Sequence, residues 1–181
     1  MVSPFAASLL YAAFLGVASH YVGQALPRRW FHHDRFPFAL YAWEDNGRVY
    51  ERRLGIRAWK DKLPDMSRVM KDMLPKRIPR DADSSHVEAL VAESCVAEFV
   101  HLLLCACAPV IYFFWRNARG VRLTRQYVLC NFPFILIQRY VRPRLLALAA
   151  RLRQREARRH PVTAFAGDCA PEPCKENIVH D

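Results

Sequence analysis

An apolar run that ends in a cluster of arginines constrains the fold of this chain more than any other feature. Residues 127–137 read YVLCNFPFILI, and Gln138, Arg139, Arg142 and Arg144 follow at once. A soluble core rarely places guanidinium groups directly after such a run, because each buried charge needs a partner of its own. A membrane boundary accommodates both parts, since the apolar run can lie among lipid tails while the arginines reach phosphates of headgroups or of an anionic ligand.

The composition is that of a membrane protein with a substantial polar part. Of the 181 residues, 52% are hydrophobic, yet the mean hydropathy is only -0.07. Two or three apolar segments diluted by charged loops produce these values. A chain of this length has room for a membrane hairpin and one small polar part, and not for two independent soluble domains.

The net charge of +10 comes mostly from basic residues beside the apolar segments. Residues 28–93 hold 14 basic and 11 acidic side chains, whereas residues 139–159 hold eight arginines and one acid. Nucleic-acid binding requires basic residues on a surface that follows a phosphate backbone. The distribution instead favours anionic lipid headgroups, and we expect no nucleic-acid partner.

The cysteines and histidines predict neither a disulfide framework nor a metal site. Four of the six cysteines lie in or beside apolar segments and are expected to be small core residues: Cys95, Cys105, Cys107 and Cys130. Cys169 and Cys174 form the only plausible local pair. No Cys/His grouping has zinc spacing, and His32-His33-Asp34 has no further ligand nearby in sequence. We therefore expect no metal and no cofactor.

The first membrane segment occupies residues 1–27. Residues 3–26 carry no formally charged side chain and are long enough to cross a bilayer as a helix. A cleaved signal peptide is the alternative, although no Lys or Arg precedes the apolar run. Arg28 and Arg29, followed by two aromatic residues, form the basic edge expected on the cytoplasmic side, which predicts an amino terminus outside.

Residues 28–95 form a polar region that we place in the cytoplasm. Asn46-Gly47 predicts a turn, followed by a short helix that starts at Arg48 and that Gly55 ends. Asp83 or Ser84 is expected to cap the next helix.

Residues 96–140 predict a membrane hairpin. Its first helix begins near His86 and is apolar over residues 96–115, with Pro109 expected to kink it. One topology crosses the bilayer, turns at residues 116–125 and returns through 127–137. That turn would place four arginines outside, and the return run is shorter than the roughly 20 residues of a span. We therefore favour a re-entrant hairpin whose loop and ends stay cytoplasmic, with spanning as the alternative.

Residues 141–160 predict a basic interfacial helix, and residues 161–181 a flexible tail. One helical face is apolar, and the arginines lie largely elsewhere. The apolar set is Leu145, Leu148, Ala149 and Leu152, and the basic set is Arg144, Arg151, Arg155 and Arg158. The predicted fold class is thus an all-α integral membrane protein with one N-terminal transmembrane helix, a small polar cytoplasmic region, and a C-terminal hairpin with a basic interfacial helix.

The segment ESCVAEFVH, residues 93–101, carries the strongest candidate chemistry. On a helix, His101 falls at about 80° and Glu98 at about 140° from Glu93, so the imidazole lies between the two carboxylates on one face. Ionisable groups inside a membrane segment are costly and indicate function. A histidine oriented and charge-stabilised by a carboxylate is a better general base. The alternative is an interfacial helix start whose Glu and His side chains face headgroups.

Three segments together resemble a known family: IRAWKDKLPD (residues 56–65), ESCVAEFVH, and NFPFILIQRYVRPRLL (residues 131–146). Their order and separations resemble the glycosyl-4,4'-diaponeurosporenoate acyltransferase family, small bacterial membrane enzymes that complete staphyloxanthin-type carotenoids. The resemblance runs from the first membrane segment to about Arg155, and QRYxRPRL and AExxH are its most specific parts. Val141 departs from the polar residue expected there.

The resemblance implies O-acylation of a sugar hydroxyl on a glycosyl carotenoid or related glycolipid in a bacterial cell membrane. The acyl donor would be acyl-CoA or an acyl-carrier protein. His101 would act as general base, with Glu98 and Glu93 as catalytic partners. The resemblance assigns substrate binding to Trp59, Lys60, Lys62, Asn131, Gln138, Arg139, Tyr140, Arg142 and Arg144, with the arginines and lysines holding phosphates. A non-catalytic lipid-binding or scaffold membrane protein is the alternative, because it needs the same apolar segments and basic edges.

Overall fold

The computed structural model describes residues 3–63 and 82–159, and these residues form helices and turns without a strand. The α-helices are α1 (Pro4–Ala25), α2 (Arg48–Leu54), α3 (Ile56–Trp59), α4 (Ser84–Cys107), α5 (Val110–Phe114) and α6 (Ala118–Arg159). Short 3-10 turns occupy Arg28–Trp30, Ala42–Gly47 and Lys60–Lys62. The all-α prediction is confirmed for this part of the chain. The predicted tail, its two cysteines, and the end of IRAWKDKLPD from residue 64 lie outside the described residues.

Helix α1 matches the predicted first membrane segment. Ser3 caps it by accepting a hydrogen bond from the backbone N–H of Ala6 at 3.2 Å, and Pro4 occupies the first turn, where its missing donor has no cost. Large apolar side chains project from the helix into the surroundings: Phe5, Leu9, Leu10, Phe14, Val17, Tyr21 and Val22. The helix is long and apolar enough to cross a membrane.

The polar region follows the predicted turn and helix limits. Asn46 and Gly47 adopt φ angles of 51° and 79°, and α2 begins directly afterwards at Arg48. Gly55, at φ 55°, ends α2 in the left-handed conformation that glycine adopts without a Cβ clash. The turn at Asn46 and Gly47 therefore sets the start of α2, as the sequence predicts.

Helices α4 and α5 form the second membrane-capable segment, Ser84–Phe114. Asp83 caps α4, since its Oδ1 accepts a hydrogen bond from the backbone N–H of His86 at 2.9 Å. Pro109 lies between α4 and α5, as the expected kink requires.

Helix α6 contains residues from two predicted regions, the hairpin (96–140) and the basic interfacial helix (141–160). The turn expected at residues 116–125 is shorter, at residues 115–117, and α6 then runs for 42 residues. Pro133 and Pro143 lie inside this helix. Packing against α4 and α5 stabilises α6 across both prolines, since tertiary contacts supply most helical stability.

Helix α4 packs antiparallel to α1 on one side and to α6 on another. Ser94 and His101 of α4 contact Arg142 and Asn131 of α6 in reverse order. At the other face of α4, a Cβ placed on Gly23 of α1 would lie 3.2 Å from Val100 Cγ2. The polar region packs over the end of this bundle that holds the C-terminus of α1 and Arg139 of α6.

Candidate active site

A buried group of four charged side chains joins the polar region to α4 and α6. We call Glu44, Glu98, Arg139 and Arg142 the charge cluster; their exposed fractions are 0%, 2%, 7% and 0%. Arg139 donates from Nη1 to Glu98 Oε1 at 2.7 Å, and from Nε and Nη2 to Glu44 at 2.6 and 2.8 Å. Arg142 Nη2 donates to Glu98 Oε2 at 2.5 Å. Two carboxylates thus balance two guanidinium groups away from water.

The other hydrogen bonds of both arginines go to backbone carbonyls and to the Ser94 hydroxyl. Arg139 donates to the carbonyls of Pro37 and Ala39 at 3.0 and 2.9 Å. Arg142 donates to the Phe38 carbonyl at 2.7 Å, and to the hydroxyl and carbonyl oxygens of Ser94 at 3.0 and 3.1 Å. These bonds hold the chain at residues 37–39 against α6.

Glu44 is ionised at neutral pH despite its burial. Burial opposes its charge, but hydrogen bonds from Arg139, from the Tyr50 hydroxyl and from the backbone N–H of Tyr41 together lower its pKa below the ordinary value. The pKa of Tyr50 is raised by burial and by the adjacent Glu44 carboxylate, so the phenol stays protonated and donates.

Within the charge cluster, Arg139 and Arg142 are buried, whereas a phosphate clamp needs guanidinium groups that a ligand can reach. Both guanidinium groups are enclosed and already bonded to carboxylates and carbonyls. Arg144, by contrast, is exposed and lies over the ring of Tyr140 at 3.5 Å, while the Tyr140 hydroxyl donates to Glu51 at 3.1 Å. Of the three arginines, Arg144 is therefore the one positioned to meet a ligand in solvent.

The two carboxylates expected beside His101 hydrogen-bond to arginines. Both oxygens of Glu98 accept from the charge cluster. Glu93 accepts from Arg28 Nε at 2.7 Å and from its Nη2 at 3.2 Å, which ties the end of α1 to α4. The helical wheel placed the three side chains on one face, but long-range partners decide where each carboxylate points.

His101 lies against two residues of α6. Its Nδ1 is 3.0 Å from Asn131 Oδ1, and its ring stacks on Phe134 with centroids 4.7 Å apart and planes 7° from parallel. Asn131 is buried, and its Nδ2 donates to the Tyr127 carbonyl at 2.9 Å. Sequence analysis missed this His101–Asn131 pair, although a lone Asn within an apolar run is costly enough to indicate a partner.

The other predicted binding residues lie at the polar end. Trp59 packs against the hydrophobic cluster of Tyr50, Ile56 and Tyr140, and its Nε1 donates to the Leu54 carbonyl at 2.9 Å. Lys62 is exposed and Gln138 is half-buried, whereas Lys60 pairs with Asp61 at 2.5 Å. No group of three or more potential metal ligands occurs in residues 3–63 and 82–159.

Comparison with known proteins decides the family. The family model for glycosyl-4,4'-diaponeurosporenoate acyltransferase matches residues 27–151, which include the charge cluster and the His101–Asn131 pair. The chain belongs to this family. It is accordingly an acyltransferase, as the resemblance of its motifs predicted.

Two relatives from Staphylococcus aureus carry that name. The protein of strain bovine RF122 / ET3-1 is 28% identical to this chain over 144 residues, and that of strain Newman is 27% identical over 144 residues. Each alignment covers 77% of this chain and 83% of the relative. No solved structure shows significant similarity to the chain.

Proposed function

We propose that this protein is a membrane-bound O-acyltransferase that moves a fatty acyl group to a sugar hydroxyl of a glycosylated carotenoid or a related glycolipid. The donor is an acyl thioester, either acyl-CoA or an acyl-carrier protein. The name of the Staphylococcus aureus relatives supports the acceptor class, and their alignment extends over most of both chains.

The position of His101 carries this proposal. His101 lies three residues after Glu98 of the charge cluster, about 4.5 Å farther along α4. At this point the membrane-capable segment begins to extend beyond the polar region. A glycosylated lipid in the bilayer presents its sugar at this depth. His101 would hold its imidazole at this depth on α4, packed against Phe134 and Asn131 of α6, and this support suits a general base.

The reaction needs one base and no redox partner. His101 takes the proton of the sugar hydroxyl as its oxygen attacks the thioester carbonyl carbon. The tetrahedral intermediate then collapses, the C–S bond breaks, and the imidazolium returns the proton to the departing thiolate. The products are a sugar ester and a thiol.

We propose supporting roles for the residues that the resemblance placed around this base. Glu98, Arg139 and Arg142 fix α4 against α6, and Glu93 fixes α4 against α1 through Arg28. Donor phosphates would meet the cationic or polar side chains at the polar end, namely Trp59, Lys60, Lys62, Gln138, Tyr140 and Arg144.

We further propose that α1, α4–α5 and the first half of α6 each cross the bilayer. The re-entrant hairpin was favoured because the apolar return run is short and because a spanning turn places four arginines outside; against the first ground, the helix that contains this run supplies 20 positions over residues 118–137. Arg119, Arg122 and Arg125 lie in its first turns, where long side chains can extend to headgroups. The polar region and the basic end of α6 are then both cytoplasmic, and the amino terminus is outside.

Acylation in cells that accumulate a glycosylated carotenoid tests the function. We expect wild-type protein to add a fatty-acyl mass to the pigment, and His101→Ala to lose roughly 10² to 10⁴ in rate. His86→Ala is the matched control, since His86 lies 15 residues earlier on α4, about 22 Å away along the helix axis.

Insertion of each variant is measured by membrane fractionation. Equal acylation by wild type and an inserted His101→Ala variant removes His101 as the base and leaves the enzyme. If wild type acylates none of the supplied acceptors, the lipid-binding or scaffold alternative replaces the proposal.

A further inference from the structure

We propose that Asn131 is a positioning residue that holds His101 in the tautomer protonated at Nδ1, so that the lone pair is at Nε2. The catalytic consequence rests on the proposed function: the sugar proton is taken at Nε2. The tautomer itself follows from hydrogen-bond geometry and can be measured without any substrate.

The Tyr127 carbonyl fixes the orientation of the Asn131 amide. A backbone carbonyl can only accept, so the amide nitrogen must face Tyr127, at 2.9 Å, and the amide oxygen must face His101. That oxygen can also only accept. The imidazole nitrogen 3.0 Å away, Nδ1, therefore carries the hydrogen, and Nε2 of a neutral ring carries the lone pair.

Asn131 and Phe134 restrict two different motions of the ring. They are three residues apart and share one face of α6. Stacking on Phe134 sets the plane of the imidazole, and the bond to Asn131 sets its rotation within that plane. Nε2 is on the side of the ring away from Asn131, so the same contacts that select the tautomer also direct the basic atom.

An amide suits this position through a full catalytic cycle. A neutral imidazole protonated at Nδ1 and an imidazolium both donate from Nδ1, so Asn131 keeps its bond when His101 gains and loses a proton at Nε2. Asn131 also adds no charge to the interior of the apolar helices, where a carboxylate would be expensive. The buried amide thus orients the base without a second ionisable group.

Nitrogen NMR on histidine-labelled protein in detergent micelles tests the tautomer. His101 is assigned by the resonance lost in His101→Ala, and the neutral ring is observed at alkaline pH. We expect a protonated, pyrrole-type Nδ1 and an unprotonated, pyridine-type Nε2. A wild-type ring protonated at Nε2 overturns the proposal.

Three variants separate positioning from general structure. Asn131→Leu should give a mixture of tautomers and a loss of roughly tenfold or more in kcat, within the range that a general base contributes, with little change in KM. Asn131→Asp retains an acceptor and should restore the Nδ1 tautomer. Gln126→Leu removes an exposed amide from the same helix and should change neither signal.

Each result has a defined meaning. An unchanged tautomer in Asn131→Leu overturns the positioning role, and so does loss of the Nδ1 tautomer in a folded Asn131→Asp protein. If the tautomers behave as expected but no variant, including wild type, acylates an acceptor, the proposed function fails while the positioning of His101 stands.

Discussion

Removal of Glu98 should destabilise the protein far more than removal of an exposed partner in an ion pair. In Glu98→Leu, one carboxylate remains to balance the guanidinium groups of Arg139 and Arg142, both of which stay enclosed. Breaking a buried pair from one side costs about 3–5 kcal/mol, because a charge is left without compensation. Glu88→Ala is the control: Glu88 pairs with Arg153, and their side chains are 40% and 65% exposed, so its loss should cost less than about 1 kcal/mol.

A double variant isolates the contribution of charge balance. Glu98→Leu with Arg142→Met restores one carboxylate for one guanidinium, since Glu44 and Arg139 keep their two mutual bonds. The Phe38 carbonyl then loses its donor, which costs ~1–3 kcal/mol. We expect the double variant to lie about 1–3 kcal/mol below wild type and above Glu98→Leu alone.

Denaturant unfolding in detergent, followed by tryptophan fluorescence, measures these free energies. The chain has four tryptophans, and Trp43 lies edge-on to Tyr50, the hydrogen-bond donor to Glu44. A double variant less stable than Glu98→Leu would refute the reasoning. So would a loss in Glu98→Leu no larger than that of Glu88→Ala.

Three further predictions follow from other contacts. The pKa of the Glu44 carboxyl is lowered in the folded protein, so the ionised carboxylate stabilises the fold above the unfolded pKa of 4.5, and this stabilisation is lost as pH falls below that value. Melting curves between pH 3 and pH 6 should show this loss of stability, and Glu44→Gln should make the melting temperature less dependent on pH. Gly23→Val should lower stability by about 1–3 kcal/mol through its clash with α4, whereas Gly16→Ala, with nothing within 4 Å, should be neutral or stabilising in the same unfolding assay. In a cysteine-free background, Asn117→Cys should react with an impermeant thiol reagent on intact cells and Asp61→Cys only after permeabilisation; an unreactive Asn117→Cys protein that labels after permeabilisation would favour the re-entrant hairpin.

Local signals in the sequence were enough to predict several helices and the residues at which they begin or end. A charge-free run of sufficient length predicts α1, and Asn46-Gly47 and Gly55 predict the limits of α2. Asp83 predicts the start of α4 because its side chain bonds a backbone donor three residues away. In each case the decisive interaction lies within a few residues of the signal.

The site depends on contacts that local signals do not contain. Glu44 and Arg139 are 95 residues apart, and His101 and Asn131 are 30 apart, so neither pair follows from spacing on one helix. The arginines after the apolar run were interpreted as a membrane edge facing phosphates, but carboxylates from two other segments neutralise two of them. Likewise, the continuity of α6 through Pro133 and Pro143 depends on its packing against α4, which is distant in sequence.

The charge cluster also imposes an order on biogenesis. Glu98 lies 41 residues before Arg139 in the chain, so it is synthesised first, and its charge lacks the guanidinium groups that later balance it until α6 follows. An uncompensated acid near a membrane helix is tolerated for a time at a cost of a few kcal/mol. Residues 37–39 and Glu44 can dock only when α6 arrives. A chain truncated before Arg139 would therefore leave the Glu44 and Glu98 carboxylates without the guanidinium group that joins them, and it should fail to bring the polar region and α4 together.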